Sequence, residues 1–279
     1  MPPSASDAPA AARGKFFSAF LNATACYLLA WLLVNFLYQA AQAFMARRAH
    51  VPGRWDLAGP HFNLPDSGWQ HTMVLSVYGT GPLLVLALGI VALGGFWWQC
   101  RRRGLLKLLL LWVAFVAFNQ VLGGLLADTI TRSGWWFVPN WLVGAGTWPS
   151  LVLGLVLAAG QLALGYILAM PFLLAQDSRT LLQFDNRFYL IICALLGPWL
   201  AGSALLAASK LPHLGLGEVL HYATLGLLLV PLALGLARPY QDDNEVLPPP
   251  SYVAWGLVGL ALLGVLAWRL ALGGAGVRL

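Results

Sequence analysis

Residues 105–128 read LLKLLLLWVAFVAFNQVLGGLLAD, a stretch in which Asn119 and Gln120 are the only strongly polar side chains between Lys107 and Asp128. At about 1.5 Å of rise per residue, some 20 apolar residues cross the roughly 30 Å of bilayer hydrocarbon, so this stretch predicts a transmembrane helix over 105–127. The pattern recurs on both sides of it. Apolar runs at 16–45, 73–98, 151–174, 188–208, 222–236 and 252–272 each lack any long polar interruption. Together they predict an all-α fold, a polytopic transmembrane helix bundle of about seven spans, or six if the short run 222–236 does not cross.

Composition points the same way. Of 279 residues, 59% are hydrophobic and 9% charged, whereas a soluble domain carries about 25% charged residues. Lipid offers no partner for backbone donors and acceptors, and no stretch shows the alternation of a membrane barrel strand, so the spans must be helices. The expected organisation is a disordered tail over 1–15, rich in Pro, Ser and Ala, one helical membrane domain over 16–272, and a short C-terminal tail over 273–279. The run 16–45 is far longer than the apolar core of a cleaved signal peptide, about 7 to 15 residues. Although Ala41-Gln42-Ala43 imitates a cleavage site, the first helix therefore reads as retained. Cys26, Cys100 and Cys193 are widely spaced and form no Cys-x-x-Cys pair, which suggests neither a disulfide framework nor a thiol redox pair.

The formal charge of +6 arises from 16 Lys and Arg against 10 Asp and Glu. The cations sit in short clusters beside apolar runs, which reads as topology and contact with the lipid bilayer, with no nucleic acid as partner. The strongest cluster is Arg101, Arg102 and Arg103 with Lys107. Placing it in the cytoplasm puts Arg13, Lys15, Arg179, Arg187 and Arg238 there too, nine cations against seven. The expectation is a multi-pass protein of the plasma (inner) membrane with a cytoplasmic N-terminus, with Arg47, Arg48 and Arg54 opposing the bias. Trp97, Trp98, Trp135, Trp136, Trp141 and Trp148 fall near helix ends, where they read as interfacial anchors. The stretch 129–148 is expected to lie along the membrane surface or dip into it. Pro171, Pro198 and Pro231 are expected to kink their helices.

Polar groups in hydrocarbon are costly unless paired, so they are the informative residues. Asn35, Gln39 and Gln42 are spaced i, i+4 and i+7 and share one face of the first helix, which must point into the bundle. Asn119 and Gln120 lie in the middle of the third helix, followed by Gly123, Gly124 and, near its end, Asp128. The glycines permit close approach, so Asn119 and Gln120 are expected to pair with the Asn35, Gln39 and Gln42 face. Such a set serves either as glue between helices or as the lining of a path for a solute. In the chosen topology His50, His61, His71, His213 and His221 all fall on the external side with Asp56, Asp66, Asp128 and Glu218, which makes an external metal site chemically possible. Gly79-Thr80-Gly81-Pro82 lacks the Lys-Ser/Thr of a phosphate loop.

Three pieces in order resemble the site-2 protease family of intramembrane zinc metalloproteases. Phe36-Leu37-Tyr38-Gln39-Ala40-Ala41-Gln42-Ala43-Phe44-Met45-Ala46-Arg47-Arg48 resembles the helix that bears His-Glu-x-x-His. Gly81-Pro82-Leu83-Leu84 is similar to a Gly-Pro-Leu segment opening a later helix, and residues 118–128 resemble the Asn-containing helix that ends in Leu-Asp-Gly. Under this resemblance Tyr38 and Gln42 stand at the zinc-ligand positions and Gln39 at that of the general base. Asp128 would match the third ligand, with Ala127 and Thr129 where Leu and Gly are expected and no Pro after Asn119. A Gln amide is a poor zinc ligand and accepts no proton near neutral pH, so zinc-activated hydrolysis is unavailable there.

The resemblance therefore implies a pseudoprotease, with the helix packing kept and the metal lost. The expected function is that of a membrane protein without catalytic machinery or cofactor. Its polar interior, Asn35, Gln39, Gln42, Asn119, Gln120 and Asp128, would bind or organise another transmembrane protein. The alternative is a small-solute transporter or channel lined by the same residues, although no internal symmetry is visible. A third reading is a membrane metalloenzyme built on the external histidines.

Overall fold

The computed structural model describes residues 8–102, 104–144, 147–178, 182–183, 186–238, 252–274 and 276–279, with residues 8–13, 66, 143 and 147 described by backbone alone. The first part of the expected tail, Arg103 and Arg179 lie outside these residues.

Helix α1 (Ala8–Arg48) already begins at Ala8, ahead of the expected start, because the Ala-rich lead-in favours helix. Its 41 residues reach roughly 60 Å, so it overshoots the bilayer. The chain then folds into a hairpin, β1 (Gly53–Asp56) and β2 (Gly59–Phe62), before α2 (His71–Gln99) and α3 (Leu105–Thr131). A short α4 (Phe137–Val143) precedes α5 (Thr147–Ile167) and α6 (Ala169–Leu174). Next come α7 (Arg187–Lys210), α8 (Leu216–Leu236), α9 (Trp255–Leu272) and a last strand, β3 (Val277–Arg278).

Seven of these helices, α1, α2, α3, α5, α7, α8 and α9, are long and apolar enough to cross a membrane. The chain is an all-α multi-pass membrane protein. The sixth span starts at Leu216 rather than Tyr222, and its 21 residues give it crossing length.

Helix α3 is the centre of the bundle, since it is apolar around its whole circumference and touches α1, α2, α5 and α8. Trp112 anchors one half of the core, with its ring centroid 5.2 Å from that of Tyr27 on α1 and 5.7 Å from that of Phe115. Small residues set the helix spacing. A Cβ on Gly81 of α2 would lie 2.9 Å from the Tyr38 carbonyl, and one on Gly165 of α5 would overlap the Leu228 carbonyl of α8. At both crossings one backbone lies directly on another.

The prolines act differently from one another. Pro171 removes the rung to Ile167, and the helix is interrupted at the single residue Leu168 between α5 and α6, while the Leu168 N–H still bonds Leu164 and the Phe172 N–H bonds Leu168. Ahead of Pro198, α7 widens into a π-helical turn over Ile191–Leu196, and the Gly197 N–H bonds the Ile192 carbonyl. Pro231 lies within α8 without interrupting it.

The first connection is structured. Asp56 accepts a hydrogen bond from the Ala58 N–H at 2.9 Å, closing the hairpin turn, and Gly59 follows at φ +122°. Strand β3 adds to the other edge of β1, pairing Trp55 with Val277, so the sheet runs β2-β1-β3 and residues 277–279 dock there. An odd number of crossings requires the C-terminus to meet that connection on one side of the membrane, and the sheet joins them.

Two buried cations hold the ends of helices beside the connections. Lys107, counted as a loop cation, is buried and pairs with Asp177 at 2.6 Å, while Asp177 also accepts the Gly104 N–H at 2.8 Å. Arg187 is buried as well, and its guanidinium donates to the carbonyls of Leu236 and Arg238 at 3.1 and 3.0 Å, closing the C-terminal end of α8.

Candidate functional site

All six polar residues singled out from the sequence, Asn35, Gln39, Gln42, Asn119, Gln120 and Asp128, are buried. They do not form one cluster. The expected pairing of Asn119 with the amides of α1 is replaced by a different one. The Asn119 amide donates to the His221 carbonyl on α8 at 3.0 Å, and its oxygen accepts from Gln161 of α5 at 2.7 Å. The reason is Gly123. A Cβ there would overlap the Asn119 oxygen and lie 2.6 Å from the Thr224 hydroxyl and 2.8 Å from the Gln161 amide. The missing side chain is the space in which α3, α5 and α8 exchange hydrogen bonds, rather than a seat for another backbone. Gly124 lies against the His221 ring instead.

Asp128 closes this network at the end of α3. One carboxylate oxygen accepts the Trp135 N–H at 2.8 Å, and the other lies 3.2 Å from His221 Nε2. Gly134, at φ +57°, makes the turn that brings Trp135 back, and any Cβ there would lie 2.5 Å from the carboxylate. The stretch 129–148 thus contains a turn tied to α3 and the helix α4. Two ring contacts seat α4 on α2: Trp141 with His71 at 5.3 Å, and Phe137 with Tyr78 at 5.2 Å.

The α1 face has its own partners. Gln39 donates to Asn35 at 3.3 Å and accepts from the indole of Trp55 on β1 at 2.7 Å. Gln42 follows Tyr38 by one helical turn, on the same face of α1. Gly81 of α2 sits over both, where a Cβ would be 2.9 Å from the Tyr38 carbonyl and 3.1 Å from Gln42 Cγ. Gly81 of α2 and the Tyr38–Gln42 turn of α1 therefore meet directly.

Sequence reasoning missed Gln161, which is 0% exposed, although a lone amide in an otherwise apolar span was a usable signal. It also missed Lys210, a loop cation by sequence and 2% exposed in the fold. The Lys210 ammonium pairs with Glu218 and lies 5.0 Å from the Trp31 ring centroid. Tyr222 and Trp268 flank that ring at 6.0 and 6.1 Å. The Tyr222 hydroxyl, the Trp268 indole and one Glu218 oxygen in this cluster are buried without a partner among the described residues, as is the amide nitrogen of Asn35.

The histidines are not pooled. His61 lies 3.3 Å from Asp56 and shares with His213 and Arg54 a cleft of about 250 Å³. His71 packs on Trp141, His221 faces Asp128, and His50 follows the end of α1 at φ 54°. Among the described residues no three His, Cys, Asp or Glu side chains are placed to share a metal ion.

No protein-family model, curated protein or solved structure significantly matches this chain.

Proposed function

We propose that this protein is a non-catalytic membrane scaffold, pseudoprotease-like in its first half, that binds or organises another transmembrane protein. The observation that carries this reading is the packing around Tyr38 and Gln42. These positions correspond to zinc ligands in the family resemblance, yet both are packed beneath Gly81, where a Cβ would lie 2.9 Å from the Tyr38 carbonyl and 3.1 Å from Gln42 Cγ. Gln39, at the general-base position, is held by Asn35 and Trp55. Groups committed in this way brace helices and have no free base to offer a water molecule.

The scaffold resides in a plasma (inner) membrane with its N-terminus cytoplasmic, and that orientation is supported by the nine-to-seven cation bias. Co-purification from the native membrane under mild detergent tests the function. A single membrane protein recovered in fixed stoichiometry is the expected result, and solute uptake by proteoliposomes of the purified chain without any partner would contradict it. Impermeant labelling of cysteines introduced at Gly14 and Gly274 tests the orientation, with only Gly274→Cys labelled from outside.

A second reading, a path for a small polar solute, is favoured by one observation. Buried polar atoms of Glu218, Tyr222 and Trp268, the residues grouped around Trp31 and Lys210, lack a partner among the described residues, and a polar guest would satisfy them.

A further inference from the structure

We propose that the groove between α3 and α5 is a binding site for an anionic phospholipid, with the phosphate at Arg132 and an acyl chain lying against Gly154. The groove measures about 570 Å³ and is walled by Leu126 and Ile130 of α3 and by Leu151 and Leu155 of α5. Ile130, Leu151 and Leu155 are exposed along it. Gly154 forms its floor, where a Cβ would lie 3.3 Å from Leu126 Cδ1, and Ala158 continues the small-residue floor one turn further. From Ser150 to Ala158 the groove follows α5 for about 12 Å, a length that suits an acyl chain.

Polarity is confined to one end, which is what selects a lipid over a purely apolar occupant. Arg132 ends α3 in the left-handed conformation, φ 53° and ψ 46°, with its N–H bonded to the Asp128 carbonyl. That position ordinarily favours Gly or Asn, and an L side chain there carries backbone strain. The strained residue sets an exposed guanidinium at the mouth of the groove. The nearest acid in sequence, Asp128, is already engaged by Trp135 and His221. Among the described residues no carboxylate pairs with Arg132. Trp136 lines the same end, and Trp148 nearby is 78% exposed, as aromatic side chains are at headgroup depth. A guanidinium at the interface above an apolar trough is complementary to a phosphodiester that carries acyl chains and has no compensating ammonium.

The test is native mass spectrometry of the full chain released from nanodiscs containing equal phosphatidylglycerol and phosphatidylcholine. The wild-type protein is expected to retain phosphatidylglycerol roughly fivefold over phosphatidylcholine, equivalent to about 1 kcal/mol for one interfacial cation. Arg132→Gln should abolish the preference and Arg132→Lys should restore it. Gly154→Leu, which fills the floor, should reduce retention of both lipids while leaving the melting temperature near wild type, since the clash is only with the flexible end of Leu126. Equal retention of both lipids by the wild type would overturn the proposal. So would a photo-crosslinker at Leu155 that captures a protein helix in native membranes instead of lipid.

Discussion

The side-chain amide of Gln161 donates to the Asn119 oxygen at 2.7 Å, and this one bond joins α5 to the central helix of the bundle. Both residues are buried, and Asn119 uses its amide at the same time to hold the backbone of α8. Interhelical hydrogen bonds of this kind contribute on average about 0.6 kcal/mol in membrane proteins, with a maximum near 1.7. Asn119→Leu should lie toward the upper end, because it breaks two contacts at once. Gln161→Leu should cost less, and the double variant should cost less than the two singles combined. Thermal unfolding in detergent measures all three, and strict additivity would show that the pair is not coupled.

Gly123→Ala is expected to be among the most damaging glycine substitutions, at about 1–3 kcal/mol, because the added methyl enters the space shared by Asn119, Gln161 and Thr224. Gly94→Ala is the matched control. Its Cβ would have no neighbour within 4 Å, so the higher helix propensity of Ala should leave stability unchanged or slightly raised.

The buried Lys107–Asp177 pair should behave asymmetrically. Replacing one partner leaves a charge without its counterion, so Lys107→Met alone or Asp177→Leu alone should lower the melting temperature more than the two together. The comparison is within one cycle and needs no absolute scale.

Deleting residues 277–279 removes the strand that covers the outer edge of β1. Hydrogen exchange of the Trp55 amide should quicken, while amides in the middle of α3 keep their protection. Unchanged exchange at Trp55 would mean that β3 contributes nothing to holding the sheet.

Much of the fold was legible because hydrocarbon imposes a single requirement on long apolar runs, and seven such runs met it. The burial of Asn35, Gln39, Gln42, Asn119, Gln120 and Asp128 was legible for the same reason. Their partners were not. Whether Asn119 turns toward α1 or toward α5 depends on the rotation of α3 about its axis, which no local pattern records. The glycine that decides it, Gly123, looks like any other small residue in a membrane helix. The sheet was also hidden, because β1 is completed by a strand more than two hundred residues away. Lys107, Arg187 and Lys210 enter the sequence reading only as cations in the topology count, although each is buried in the fold with an internal partner.

Water accessibility of the interior most directly separates a bundle knit together by its own amides from a lined path. In a background with the three native cysteines replaced, cysteines would be introduced singly at Asn35, Gln39, Asn119 and Gln161 and challenged with a small membrane-impermeant thiol reagent in proteoliposomes. The scaffold reading expects these sites to label far more slowly than a control at the exposed Gly274. Labelling of Gln39→Cys and Asn119→Cys at rates comparable to that control would reveal water along the interior and contradict it.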